Sequence, residues 1–362
     1  MSPFSPKLKG ALGAAAVLML TTTAAHASFI ANFHNNLTSN NTNTVFIFGE
    51  EGTAGTVSSV GGFNQNFSID STGVFELSLG TNGQSMSQNG VVNTLSLLVK
   101  SADPISGLAL NRRNATTDMT TLLDLDGLST DYRVLTTTGT FSNGSQMSVT
   151  ATEDNTTVTI TPNDITGLTD GVPVNVVLQK GESIFYSSGA NGDLSGTRVQ
   201  STAKVAVFAG AACTNVPTNV TACDHLIQQQ FGVENFDTEF LLPETPFAGA
   251  DKDLVRVIAA GDNTQVFVNG VLQGTINAGE VLQINNVGNA KITSDKPVSV
   301  GQFMRGQSGS RSVGDPAFAL LPSVDQFLNA YAFTTPVGNE VFNQNQLNIA
   351  IDQSIAASLK LN

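Results

Sequence analysis

Apolar residues alternate with polar ones in short runs along most of this chain. Val158 and Ile160, then Val172, Val174 and Val176, then Val205 and Val207 are spaced two apart. That period lays one side of a β-strand against a core. Turn signals separate the runs. Asp154-Asn155, Asp262-Asn263 and Asn269-Gly270 supply residues that tolerate the left-handed backbone of tight hairpins. In Ser294-Asp295-Lys296-Pro297 a Ser or Asp can open a turn whose later φ is fixed by proline. Helix is scarce: only DHLIQQQ (224–230) and LPSVDQFLNAY (321–331) could supply a turn or two.

The strand pattern repeats. EDNTTVTI (153–160) matches GDNTQVFV (261–268), and LQKGE (178–182) matches INAGE (276–280). SDKPVSVGQFMR (294–305) matches SADPISGLALNR (101–112) and, more loosely, STAKVAVFAGAA (201–212). These strings keep one order at separations of 108, 98, 93 and 100 residues, the mark of tandem supersecondary units. The connections repeat too: LLDLDGLSTDY, HLIQQQFGVENFDTEF and LLPSVDQFLNAY each run into an aromatic residue that starts the next unit. The expectation is an all-β chain of sandwich-like modules of roughly 100 residues. The predicted modules cover residues 28–130, 131–236 and 237–329, and residues 330–362 form a partial fourth unit or closing strands. A single propeller-like closed array is the alternative.

The N-terminus sets the compartment. Lys7 and Lys9 precede the apolar run GALGAAAVLML, and Ala25-His26-Ala27 offers a small-x-small cleavage site before Ser28. Residues 1–27 read as a secretory signal peptide, cut between Ala27 and Ser28. The run is too short to span a membrane, and no later segment reaches that length. Removing Lys7 and Lys9 from the 16 basic residues leaves 14 against 29 acidic ones. Such a surface repels nucleic acid and anionic lipid, so neither is an expected partner.

An oxidising compartment bears on CTNVPTNVTACDH (213–225), which holds both cysteines of the chain. A disulfide between Cys213 and Cys223 is the favoured reading. A metal site would enlist Cys223, Asp224 and His225, but consecutive side chains converge poorly on one ion, and zinc or redox sites more often use C-x-x-C. Asp124 to Asp131 resembles half a calcium loop, but lacks the acid that would complete it. No cofactor motif is present, nor G-x-S-x-G, H-E-x-x-H or a P-loop. After signal removal only His34 and His225 remain for acid–base work, and His225 reads as structural rather than catalytic. Paired carboxylates for a hydrolase stay open, although a chain with no Trp and three Tyr is poor in platforms for sugars.

Aligning the repeats places three loops after the same strand of each unit: NRRNATTDMTT (111–121), ACTNVPTNVTACDH (212–225) and MRGQSGSRSVGD (304–315). Arg112, Arg113, Arg305 and Arg311 fall in these loops although the protein is acidic. Together with Asp224 and His225 they make a candidate recognition face for a carboxylate or sulfate, with arginine as the forked donor. The competing reading has Arg112 and Arg305 bonded to loop carbonyls or to Asp118 and Asp315.

The ordered strings ATEDNTTVTITP, VLQKGE, SGTRVQSTAKVAVFAG, CTNVP, ACDHLIQQ, TEFLLP, DNTQVFVNG, ITSDKPVSVGQF and GDPAFALLPSVDQFL resemble the IgGFc-binding protein N-terminal domain family. The likeness is good over 131–350 and weaker over 44–130. It implies a module of secreted or surface adhesive proteins and strengthens the Cys213–Cys223 pairing. It transfers no catalytic residues, and Gln228-Gln229-Gln230 stand where family members often have a glutamate. Cysteine-rich repeats that accompany the family elsewhere are excluded by the two cysteines, so immunoglobulin Fc is one partner to test rather than an implied one. The expected function is non-enzymatic recognition of an extracellular glycoprotein or glycan. A ligand-free structural spacer or surface-layer role is the alternative, and a carboxylate-dependent hydrolase ranks last.

Overall fold

The computed structural model describes residues 27–38, 40–141, 143–246, 248–307, 314–328, 331, 346–351 and 354–360. The proposed signal peptide, apart from Ala27, and Arg311 lie outside the described residues, as does most of 330–362. The described chain is all-β, with four single 3-10 turns and no helix long and apolar enough to cross a membrane.

Strands β1 (Ala27–Ala31), β2 (Phe33–His34), β3 (Thr42–Phe48), β4 (Ala54–Ser58), β5 (Asn64–Ser68), β6 (Val74–Thr81), β7 (Ser85–Met86), β8 (Val92–Asn93), β9 (Leu97–Ser101), β10 (Ser106–Arg113) and β11 (Thr116–Leu122) make the first unit. The second unit has β12 (Ser129–Arg133), β13 (Ser145–Ala151), β14 (Thr156–Thr161), β15 (Val174–Leu178), β16 (Ser183–Ser187), β17 (Arg198–Thr214) and β18 (Asp224–Gln229). The third has β19 (Asp237–Leu242), β20 (Asp253–Ala259), β21 (Thr264–Val268), β22 (Val271–Ile276), β23 (Val281–Val287), β24 (Ala290–Met304) and β25 (Ala317–Leu320).

Strand pairing is the same in all three. The long β17 pairs β12 and β14 along its first half, then β13 and β18 along its second. β24 does the same with β19, β21, β20 and β25. In the first unit this through-strand is broken into β9 and β10, which lie in separate four-stranded sheets. The repeated SADP, STAK and SDKP strings mark the point where the strand changes from one pair of partners to the other, and in the first unit from one sheet to the next. The turn expected at Ser294–Pro297 is therefore a bend within β24. There Asp295 Oδ1 accepts the Gln265 N–H at 2.7 Å, and the Ser294 hydroxyl donates to the Lys296 carbonyl at 2.7 Å. The first unit is thus a pair of four-stranded sheets, whereas the strands of the second and third units each form one continuous sheet, of eight strands (β8 included) and seven, in a sandwich-like module. The propeller alternative is not what forms, because β17 and β24 each pair with four strands, two along each half, rather than taking one place in a blade.

The other repeated strings build one hydrogen-bonded corner. Asn155 and Asn263 take φ of 55° and 54° in the D-N turns, and Gly181 and Gly279 take 79° and 81° in the G-E turns. Asp154 accepts the Lys180 N–H and Asp262 accepts the Ala278 N–H, both at 3.0 Å. Glu182 and Glu280 accept the N–H three residues back, both at 2.8 Å. The D, N, G and E recur because the corner needs their acceptors and its left-handed backbone positions.

Two expectations change. DHLIQQ is strand β18, while the repeated connections instead carry 3-10 turns at Leu125–Gly127, Val233–Asn235 and Val324–Gln326. Val172 lies outside β15 and is 53% exposed, whereas Val158, Ile160, Val205 and Val207 are buried as the alternation predicts. The cores are not confined to single units. Ala206, Phe208 and Ile227 of the second unit join the cluster of Phe29, Val45 and Leu97 in the first. Leu135 and Leu226 of the second unit pack with Leu254, Phe303 and Phe318 of the third.

Candidate functional site

Three hairpins leave the C-terminal ends of the equivalent strands β10, β17 and β24, and they meet. Their return strands β11, β18 and β25 pack against one another. The first hairpin turns tightly at Asn114-Ala115, with Ala115 at φ 64°. The second is longer and contains a cis Val216–Pro217 bond. It is closed by the Cys213–Cys223 disulfide, with Cα atoms 5.2 Å apart. It touches both neighbours: the Thr117 N–H donates to Asp224 Oδ1, and the Gly306 N–H donates to the Val216 carbonyl at 2.9 Å.

The acids here tie the units together. Asp118 of the first unit accepts the Met119 N–H and the Ile227 N–H, both at 2.9 Å, and a further backbone bond from Phe318 of the third unit. Asp224 Oδ1 takes the Thr117 N–H and, at 2.8 Å, the His225 N–H. Burial opposes their ionisation and outweighs these donors, pushing the Asp118 carboxyl up to about 8 and that of Asp224 up to about 9. His225 is fully buried, with Nδ1 3.3 Å from the Ala212 carbonyl and burial pulling its pKa down to about 4.

The sequence-predicted residues therefore fall into two layers. Asp224 and His225 lie beneath the hairpins and hold backbone groups. Arg112 and Arg113 are half-buried at the end of β10, and the Arg113 guanidinium makes no ion pair among the described residues. Arg305 is half-buried and faces Asp251 at 3.7 Å, rather than Asp118 or Asp315. The acids of the calcium-like loop do not converge: Asp124 accepts the Asp126 and Ser28 N–H groups, while Asp131 pairs with Arg198 at 2.7 Å. Among the described residues no three His, Cys, Asp or Glu side chains form a metal cluster. Ser28, at the predicted cleavage point, lies in β1 with Ala27.

Sequence reading missed the seams between units. At the second seam Arg256 of β20 reaches into the second unit, where its guanidinium donates to the Thr136 carbonyl, to Ser195 Oγ at 3.0 Å and to Asp193 Oδ2 at 2.7 Å. This clamp walls a polar cleft of about 440 Å³ that Asn163 and Glu280 also line. The signal was one charge inside the otherwise apolar run LVRVIA (254–259). At the first seam the same position of the repeat is Ser148, which meets Asn32 at 2.9 Å and His34 Nε2 at 2.8 Å. A second cleft, of about 210 Å³, lies there.

These tandem β modules, stapled by one disulfide and locked through polar seams, define an all-β repeat protein. The family model described as IgGFc binding protein matches residues 118–362, and the chain belongs to that family. The human IgGFc-binding protein is 26% identical over 254 residues, which cover 67% of this chain and 5% of that protein. No solved structure matches the chain.

Proposed function

We propose that this chain is an extracellular recognition module that binds a glycoprotein or glycan without chemistry, using the three converging hairpins as its face. The family relationship suggests an extracellular binding module. The observation that carries the finer reading is the meeting of three equivalent loops, linked through Thr117–Asp224 and Gly306–Val216. Loops fixed on rigid scaffolds are where recognition concentrates. Arg113 is the donor we assign to a carboxylate or sulfate, and Arg112 and Arg305 on the equivalent strand ends and Arg311 of the same sequence loop complete the assigned set. Asp224 and His225 act from below by fixing the loops. We read the module limits as 28–130, 131–236 and 237–329, with residues 1–27 removed on secretion.

The human relative's name refers to IgG Fc, but this chain matches only a small part of that protein, so Fc enters as one probe among several. The test is a binding screen of purified residues 28–362 against arrayed glycans, mucins and immunoglobulin Fc. The expected result is a saturable hit that weakens with added salt and with Arg113→Ala and Arg305→Ala. Silence from folded, oxidised protein would favour a ligand-free spacer, a reading supported by the Arg256–Asp193 clamp that stiffens the array. A hydrolase would need acids within reach of substrate, and Asp118 and Asp224 are buried and occupied by backbone donors.

A further inference from the structure

Both clefts lie at seams and are lined by the glycine of the repeated G-E turn, Gly181 in one and Gly279 in the other. In each, a glycine turn of the later unit closes on the earlier one. A Cβ on Gly181 would lie 2.9 Å from Val60 Cγ1, and one on Gly279 would lie 2.7 Å from Arg133 Nη1. Close approach as well as positive φ therefore demands glycine there. The chemistry inside the two clefts has diverged. At the second seam the polar groups answer one another: Arg256 binds Asp193 and Ser195, and the Asn163 amide donates to the Asp193 and Ser195 carbonyls. That cleft is an internal clamp. At the first seam the lining is mainly apolar, with Ile30, Leu97, Leu125 and Ala151; the hydroxyls of Ser96 and Thr150 bond each other, and Ser59 and Thr152 also line it. Lys180 stands on its rim. Its backbone N–H is held by Asp154, but its ammonium makes no ion pair or hydrogen bond among the described residues. The other ammonium nearby, on Lys204, is occupied by the Asp126 carbonyl at 2.6 Å.

We propose that the cleft at the first seam binds a small amphipathic carboxylate, a ring or short chain against the apolar lining with its anionic end on Lys180. Small-ligand sites combine such an apolar lining with a few polar groups that fix orientation. A cavity of roughly 150 Å³ already holds benzene, so about 210 Å³ takes a ring and a short acidic arm. This site is separate from the hairpin face and does not depend on it.

The test uses phenylacetate and its neutral analogue phenylacetamide, titrated into the purified chain and followed by calorimetry and amide NMR. Phenylacetate should saturate and shift the amides of Ser59, Leu98, Thr152 and Gly181. Lys180→Gln, a change on the surface, should weaken phenylacetate roughly three- to tenfold while leaving the amide's affinity unchanged. A bulky rim variant, Thr152→Trp, should weaken both probes. Absence of saturation, shifts confined to the hairpin loops, or equal binding of acid and amide by the native chain would each overturn the proposal.

Discussion

Single residues carry the joints of this molecule. Arg256 has a nearly buried guanidinium, and Asp193 beside it is mostly buried. Removing one partner strands the other charge, which in buried pairs costs about 3 kcal/mol or more. Arg256→Ala should therefore lower the unfolding free energy by about 3 kcal/mol. A double-mutant cycle with Asp193→Asn should give a coupling of about 1–3 kcal/mol in urea titrations, and additive losses would show that the pair does not couple. Asp118 and Asp224 predict a pH dependence. Folded, they hold protons to about 8 and 9, whereas the unfolded chain releases them near 3.8. The fold binds the extra protons, so this stability is full below the unfolded value and is lost as pH rises through 8 and 9. The buried imidazoles act the other way. His34 and His225 are lowered to about 3 and about 4 from 6.5, so their contribution holds above 6.5 and is lost as pH falls. Between pH 4 and 6.5 the slopes oppose; above it the carboxyls act alone. Melting temperature should fall from pH 6.5 to 9, and Asp224→Asn should remove roughly half of that slope. Asn suits this test because one oxygen, Oδ1, takes both N–H donors.

At the scale of elements, the β17–β18 hairpin is the best-defined target. Its disulfide closes a short loop, and the loss of closure entropy in the unfolded chain is worth about 3 kcal/mol. Reduction, or Cys213→Ser with Cys223→Ser, should lower the unfolding free energy by that amount, read as a lower urea midpoint at unchanged slope. Within the same pair a Cβ on Gly210 would lie 1.7 Å from the Leu226 carbonyl oxygen. Gly210→Ala should therefore cost more than the ordinary 1–3 kcal/mol of overpacking, visible as loss of soluble folded protein. The hairpins, the repeated units and the staple were legible in the sequence because each rests on local chemistry: Asn at a left-handed turn, period-two alternation, and two cysteines ten positions apart. The assignment of DHLIQQ to a helical turn failed because β18 takes its partners from β17 and from Asp118 and Thr120 of the first unit. Those contacts lie more than 100 residues away in sequence for the first unit, and no local propensity reports them. Arg256 was missed for the same reason. Its meaning depends on Asp193 and Thr136 across the seam, while the arginines that drew attention were those clustered in loops.

The whole molecule differs from a string of independent beads, because its cores are shared. Cutting after residue 130 would take Ala206, Phe208 and Ile227 away from Phe29, Val45 and Leu97. It would also uncover Asn32 and His34, whose partners are Ser148 and Thr150. Apolar surface uncovered by the cut disfavours folding by about 25 cal/mol per Å², and a fragment of about 100 residues has little stability to lose. Nearest-neighbour interfaces of this kind make a repeat array unfold cooperatively. Residues 28–130 expressed alone should give a poorly dispersed amide spectrum. The native chain should show one calorimetric transition, and Arg256→Ala, by weakening only the second seam, should begin to divide it into two. A well-dispersed spectrum from 28–130 would mean that the units fold alone and the seams merely align them. Both seam clefts would then be gaps between rigid bodies, whose width would vary with inter-unit motion. A single transition with an unfolded fragment ties cleft geometry to folding itself, so a ligand held at the first seam would raise the melting temperature of the entire array.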